Sequence, residues 1–282
     1  MNLLFFIIQA LGNSLPKGVS ELIAHGVARF CYYFVYRKAI ENHLSNLKVA
    51  FGTEMEDKEL KKITKKAINN FSVALYEHAA MGRLNERNYS HFIKGEQMEN
   101  LFSASRKGNG VIALSAHLGN YEWGAALVSF AGLPVSVMSL EYRSEYIKNI
   151  YETHRRKVGI KVFYVRKSFS GPIRFLKEGG VLAIASDRNF AEVSIKVNLF
   201  GRMTEIPKGA FYLASRLNVP IVPAFSLKER DGKYHVYFEK GYNIKENEMQ
   251  AGANKYASIL AKYIKKYPEQ WYIFDKIWKE KS

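Results

Sequence analysis

Residues 110–130 read "GVIALSAHLGNYEWGAALVSF". The stretch from Gly110 to Ser115 is nearly all apolar, as a strand buried on both faces requires. From Tyr121 to Phe130 the chain turns apolar again and reads as a helix packed on the sheet. His117 lies between them, in a turn at the C-terminal end of a strand, where open α/β sheets bind their ligands. Gly119 permits the tight turn, and the N–H groups at the helix start, around Asn120, favour negative charge nearby. Glu122 in the first helical turn is placed to fold its carboxylate back to the His117 imidazole.

The same rhythm continues outward. "LPVSVMSL", "IKVFYV", "GVLAIAS", "VPIVPAF" and "YHVYFE" are short runs rich in β-branched and aromatic residues. Helical stretches over 120–131, 143–158 and 168–178 separate the first four strands. Strands alternating with helices predict an α/β fold, a largely parallel central sheet flanked by helices. In "VLAIASDRNF" a second polar cluster, Asp187, Arg188 and Asn189, follows an apolar strand. Two such clusters at strand C-termini point to a shared cleft. A turn at Pro207 to Gly209 opens an apolar helix, and a long helix over about 246–267 precedes "YPEQWYIFDKIW". Lys38 to Ala80 reads as helical throughout, with Leu60, Ile63, Ala67, Ile68 and Phe71 on its apolar face. No linker divides 38–282, which is expected to form one α/β domain.

Residues 1–37 differ in character. The apolar run Leu3–Leu11 is about half the roughly 20 residues a spanning helix needs, and no Lys or Arg precedes it as in a secretory signal. "IAHGVARFCYYFVYRK" mixes aromatic with basic residues, as helices lying in a membrane interface do. The segment is expected to associate with membranes, a pair of ordinary core helices being the alternative.

Charge is lopsided: 42 Lys and Arg against 26 Asp and Glu give a formal +16. Such an excess attracts polyanions. The Tyr and Phe residues sit in apolar segments and are not interleaved with Lys and Arg, which weighs against nucleic-acid stacking. The single cysteine, Cys31, excludes a disulfide framework and a cysteine zinc site. A serine-hydrolase elbow, G-x-S-x-G, is absent. His91 and Glu96 repeat the spacing of His117 and Glu122, but they lie where an edge strand runs into a polar helix and are read as a chance pair.

"SAHLGNYEWG" (115–124) resembles the HLGNWE box of the bacterial lipid A biosynthesis acyltransferase family. This is a branch of the lysophospholipid acyltransferase superfamily, whose signature is His, four residues, then Asp or Glu. "IENHLSNLKVAFG", "SLEYRSEYIKNIYETHRRKVGI", "ASDRNF", "LFGRMTEIPKGAFYLASRLNVPIVP" and "PEQWYIFDKIW" are similar to further boxes of that family, six in order over nearly the whole chain. Tyr121 stands for the usual Trp, Arg188 for the commoner Gln, and Ile273-Phe274-Asp275 for the usual Trp-x-His-Arg-Arg stretch.

The resemblance implies transfer of a fatty acyl group from a thioester, on acyl carrier protein or coenzyme A, to a hydroxyl of a membrane glycolipid such as a lipid A precursor. A lysophospholipid, mannolipid or aminolipid acceptor stays open. It also implies work at the cytoplasmic face of the inner membrane, with no bound cofactor or metal. Implied partners are acyl carrier protein, anionic lipids and the glycolipid acceptor, with no nucleic acid. His117 would be the general base and Glu122 its partner. Backbone N–H groups at Gly119 and Asn120, or Arg143 or Arg188, would serve the oxyanion or the substrate, and Asp187 would hold one arginine.

Overall fold

Strand β2 (Val111–Ser115) shows why the chain folds as a layered sheet. Successive side chains of a strand point to opposite faces. Val111 and Ala113 enter one apolar core, and Ile112 and Leu114 enter a second on the other side. The computed structural model describes residues 37–278 except 53, 107, 143, 166–167 and 190–192, together with Leu22, Ile23 and Gly26. The membrane-associating helices expected within 1–37 therefore lie outside the described residues, apart from those three helical positions and Arg37. Among the described residues no helix is long and apolar enough to cross a membrane.

Seven strands form the main sheet: β1 (Ile93–Glu96), β2, β3 (Val135–Ser139), β4 (Ile160–Tyr164), β5 (Val181–Ala185), β8 (Ile221–Lys228) and β9 (Tyr234–Phe238). Their spatial order is β1-β9-β8-β2-β5-β3-β4. β8, β2, β5, β3 and β4 run parallel, and β9 turns back against β8. The reversal follows from loop length, because parallel neighbours need a crossover of a dozen or more residues and only Glu229–Lys233 joins β8 to β9. Edge strand β1 pairs parallel to β9.

Helices cover both faces. α3 (Met98–Ser105) and α4 (Tyr121–Phe130) bury Leu101, Trp123 and Ala126 against Val111 and Ala113. α5 (Glu145–Lys157) and α6 (Ser170–Lys177) follow β3 and β4. On the opposite face α7 (Gly209–Leu217) and α8 (Met249–Lys266) bring Phe211, Ala214, Tyr256 and Leu260 onto Ile112 and Leu114.

Two features differ from the expectations. The helix read over Lys38–Ala80 is two, α1 (Arg37–Phe51) and α2 (Asp57–Ala79). α1 stops at Gly52, and Asp57 and Glu59 then open a new helix, where acids suit the positive end of the dipole. Lys48 Nζ reaches Asp57 Oδ2 at 2.7 Å across the break. A hairpin, β6 (Ser194–Leu199) and β7 (Arg202–Pro207), precedes α7 where no strands were expected. Its two-residue turn, Phe200-Gly201, has positive φ at both positions (56° and 77°), the geometry that matches strand twist in a tight hairpin.

The C-terminal segment closes the molecule over α1 and α2. Asn42, His43 and Asn46 of α1 bond the backbone carbonyls of Phe274, Trp271 and both Ile273 and Asp275. The Gln270 side chain donates to the Lys228 carbonyl and accepts from the Lys228 N–H, each at 2.9 Å, as a neighbouring strand would. Boxes more than 220 residues apart thus share one tertiary joint.

Candidate active site

Ser115 and Ala185 are register partners at the ends of β2 and β5. Each strand is followed two residues on by a polar side chain, His117 and Asp187, so parallel pairing alone sets them side by side. The His117 N–H donates to Asp187 Oδ2 at 2.9 Å, and its ring Nδ1 lies 2.8 Å from Oδ1. Both carboxylate oxygens are thereby committed to one histidine. A carboxylate on Nδ1 holds the proton there and presents the lone pair at Nε2. The Asp187 side chain is fully buried, whereas the His117 side chain keeps 23% of its surface and lines a cavity. The Tyr121 ring stands edge-on to the imidazole at 5.3 Å.

The turn after His117 is locked from outside. Gly119 has φ +63°, and a Cβ there would lie 1.9 Å from the Ser226 carbonyl oxygen, so only glycine fits. Its N–H donates to the Gln270 carbonyl (2.8 Å) and that of Asn120 to the Ser226 carbonyl (2.9 Å). Tyr272 N–H donates to the His117 carbonyl at 2.8 Å. Asn120 caps α4, its Oδ1 accepting from the Trp123 N–H at 3.1 Å. The expectation that the Gly119 and Asn120 N–H groups wait for an oxyanion is corrected here: they hold the turn to β8 and the C-terminal segment.

Glu122 is corrected too. Its carboxylate reaches α5, accepting from Arg155 Nε at 3.0 Å and from Arg155 Nη2. Burial alone would raise the Glu122 carboxyl, but Arg155 and then His78 outweigh it and bring it down to about 2. His78 Nδ1 lies 3.9 Å from Glu122 Oε1. No ion pair results near neutral pH, because burial pushes the imidazole down to about 3.

Arg188 lines the same cavity and pairs with Asp275, while both Asp187 oxygens lie against His117. Two positions at which the sequence departs from the pattern it resembles therefore meet in space. Arg143 lies outside the described residues. His91 is exposed, and Glu96 binds His235 Nδ1 at 2.9 Å and Lys94 Nζ at 2.8 Å on the sheet edge, which leaves the chance-pair reading intact.

The cavity measures about 440 Å³ and is walled by apolar side chains including Leu75, Val137, Leu140, Val165, Ile184 and Leu213. Sequence reading missed the buried polar residues around it. Glu77 of α2 accepts from Lys228 Nζ (3.1 Å), Tyr234 Oη (2.6 Å) and Asn120 Nδ2 (3.2 Å), tying α2 to the start of α4. Arg155 offered a signal: it shares a helix stripe with Tyr151 and Val158, both buried, and a charge on such a stripe needs a partner. Glu77 and His78 similarly end the apolar face of α2.

No curated protein matches the chain. The family described as bacterial lipid A biosynthesis acyltransferase matches residues 2–280, almost from end to end. With the His117 turn at the mouth of β2 and that match over nearly its whole length, the chain belongs to the bacterial lipid A biosynthesis acyltransferase family.

Proposed function

We propose that the protein moves a fatty acyl group from an acyl thioester to a hydroxyl of a glycolipid such as a lipid A precursor, with His117 as general base and Asp187 as its partner. Membership of the family makes the chain an acyltransferase acting on lipid substrates. The finer reading rests above all on one observation, the 2.8 Å contact of Asp187 Oδ1 with His117 Nδ1 beside an apolar-walled cavity.

His117 Nε2 takes the proton of the acceptor hydroxyl as its oxygen attacks the thioester carbonyl carbon. Asp187 stabilises the imidazolium that forms. The C–O bond forms, the C–S bond breaks as the tetrahedral intermediate collapses, and the departing thiolate receives the proton from Nε2. No nucleophile of the protein is consumed. We assign the developing oxyanion to Arg188, the cation of the β5 loop in this cavity. Burial lowers its pKa, Asp187 opposing that, but a guanidinium stays charged throughout the working range.

The apolar wall offers the acyl chain a dry path, and Leu140 and Phe169 line the cavity while remaining exposed, which suits a lipid entering from a bilayer. The +16 charge favours an anionic membrane surface and an acidic carrier protein as donor. We place the enzyme at the cytoplasmic face of the inner membrane, peripheral or monotopic. Lipid mass spectrometry of a deletion strain tests the acceptor: one glycolipid should lose one acyl chain and regain it with the parent gene. An acyl loss confined to lysophospholipid products would replace the glycolipid acceptor with a phospholipid one.

A further inference from the structure

Apart from Leu22, the exposed large apolar side chains among the described residues are Leu140, Tyr146, Phe169, Val193, Met203 and Tyr212. Every one lies on chain that has left the C-terminal end of β3, β4 or β5. The segments that enter strands at the other end of the sheet, 106–110, 131–134, 158–159, 178–180 and 218–220, show none among their described residues. Single exposed apolar residues are ordinary on a protein surface, but confinement to one end of a sheet is not scatter.

Four of them are tied to the cavity mouth. Leu140 and Phe169 line the cavity themselves. The Lys208 N–H donates to the Val193 carbonyl at 3.2 Å, and Pro207 and Gly209, on either side of Lys208, line the cavity. One helical turn on, the Tyr212 N–H donates to the Lys208 carbonyl at 3.0 Å, and the next residue, Leu213, lines the cavity too. Val193 and Tyr212 are 60% and 47% exposed and lie outside the lining.

The chemistry of the rim selects what covers it. The cavity belongs to an acyltransferase of lipid substrates. A lipid enters such a cavity most readily where the opening touches the bilayer, because its acyl chain then never crosses water. The hairpin and α7 carry Lys196, Arg202, Lys208 and Arg216 against Glu205 alone, and Arg166 and Lys167 precede Phe169 in the sequence. Apolar and aromatic side chains beside basic ones suit an anionic bilayer, the first in the acyl boundary and the second on lipid phosphates.

We propose that Leu140, Phe169, Val193 and Tyr212 form a membrane-docking rim that seats the C-terminal end of the sheet on an anionic bilayer, as a contact separate from residues 1–37. This rests on the lipid-transfer reading above and adds how the domain sits: the cavity opens onto hydrocarbon.

The test uses the full chain with Cys31→Ser and one added cysteine carrying a polarity-sensitive dye. The cysteine is placed by Phe169→Cys, or by Asn109→Cys at an exposed position before β2. Vesicles are equal parts phosphatidylcholine and phosphatidylglycerol, with or without bromine on the acyl chains. Brominated lipid should quench the dye at 169 and leave the dye at 109 unchanged. Because a dye could insert on its own account, a second pair of variants carries none. Val193→Glu with Tyr212→Glu, verified as folded by melting, should weaken vesicle binding about tenfold. Ser103→Glu with Asn109→Glu adds the same charge at the other end of the sheet and should weaken it far less.

No quenching at 169, equal quenching at both positions, or equal loss in the two double variants overturns the rim. So does a chain that dimerises through Val193 and Tyr212 without quenching, which would give this face to a second copy. None of these readings needs turnover, so a protein that docks by the rim without transferring acyl groups would count against the catalytic reading alone.

Discussion

Asp187 and Glu122 are both buried acids beside one cavity, and they do opposite things. Asp187 faces a histidine, a side chain that can take up and release a proton, and touches it through both oxygens. Glu122 faces an arginine, whose charge never changes, and is held ionised by it. The first arrangement answers a proton arriving on the imidazole. The second is static and holds α4 to α5. Burial alone does not decide what an acid can do; the side chain it faces does.

The largest expected effect lies on the Asp187 side. His117→Ala should lower acyl transfer by roughly 10²–10⁴-fold with the protein folded, the usual worth of a general base. A folded variant at the parent rate breaks the comparison. On the other side the expected loss is of stability. Glu122→Gln leaves the Arg155 guanidinium buried without a counter-charge and should cost about 3–5 kcal/mol in urea unfolding. A change below about 1 kcal/mol would show that the pair is solvated or replaced.

The contrast extends to acid. His78 is lowered to about 3, mainly by burial, so below pH 6.5 the unfolded chain binds a proton that the folded chain refuses. Its share of stability is therefore complete above 6.5 and declines as pH falls, by up to ~1.4 kcal/mol per pH unit. Glu122, lowered to about 2, keeps its share above its ordinary value of 4.5 and loses it only as pH falls from there toward 2. Urea midpoints from pH 7.5 to 5 should slope downward in the parent and less steeply in His78→Phe, where His43 (lowered to about 4) and His154, both lowered by burial, still contribute; identical slopes would show that His78 takes its proton in the folded state. The smallest effect is expected at the edge of the sheet. His91→Ala removes an exposed ring and should shift stability by no more than about 0.5 kcal/mol and leave transfer unchanged.

The sheet was legible because its strands are short apolar runs ended by polar turns, and β2 and β5 gave their periodicity plainly. The hairpin β6–β7 was not, since Phe200-Gly201 carries neither of the Asn-Gly or Asp-Gly pairs that mark such turns. His117 was legible from its place after a strand. Its partner was misread because Glu122 is near in sequence, while Asp187 is near only once β5 lies beside β2, an order that puts the fifth strand between the second and third. Arg155 and His78 escaped for a similar reason: each sits on an apolar helix stripe that reads as core until the facing carboxylate is placed.

The central claim is that Asp187 acts on the reaction through His117. A double-mutant cycle tests it, with acyl transfer measured for His117→Ala, Asp187→Asn and the two combined, each verified as folded. Residues that work as one unit are grossly non-additive. Each single variant should be slowed strongly, and the double variant should be no slower than His117→Ala alone. Losses that multiply, or an Asp187→Asn protein turning over at the parent rate, would contradict the account.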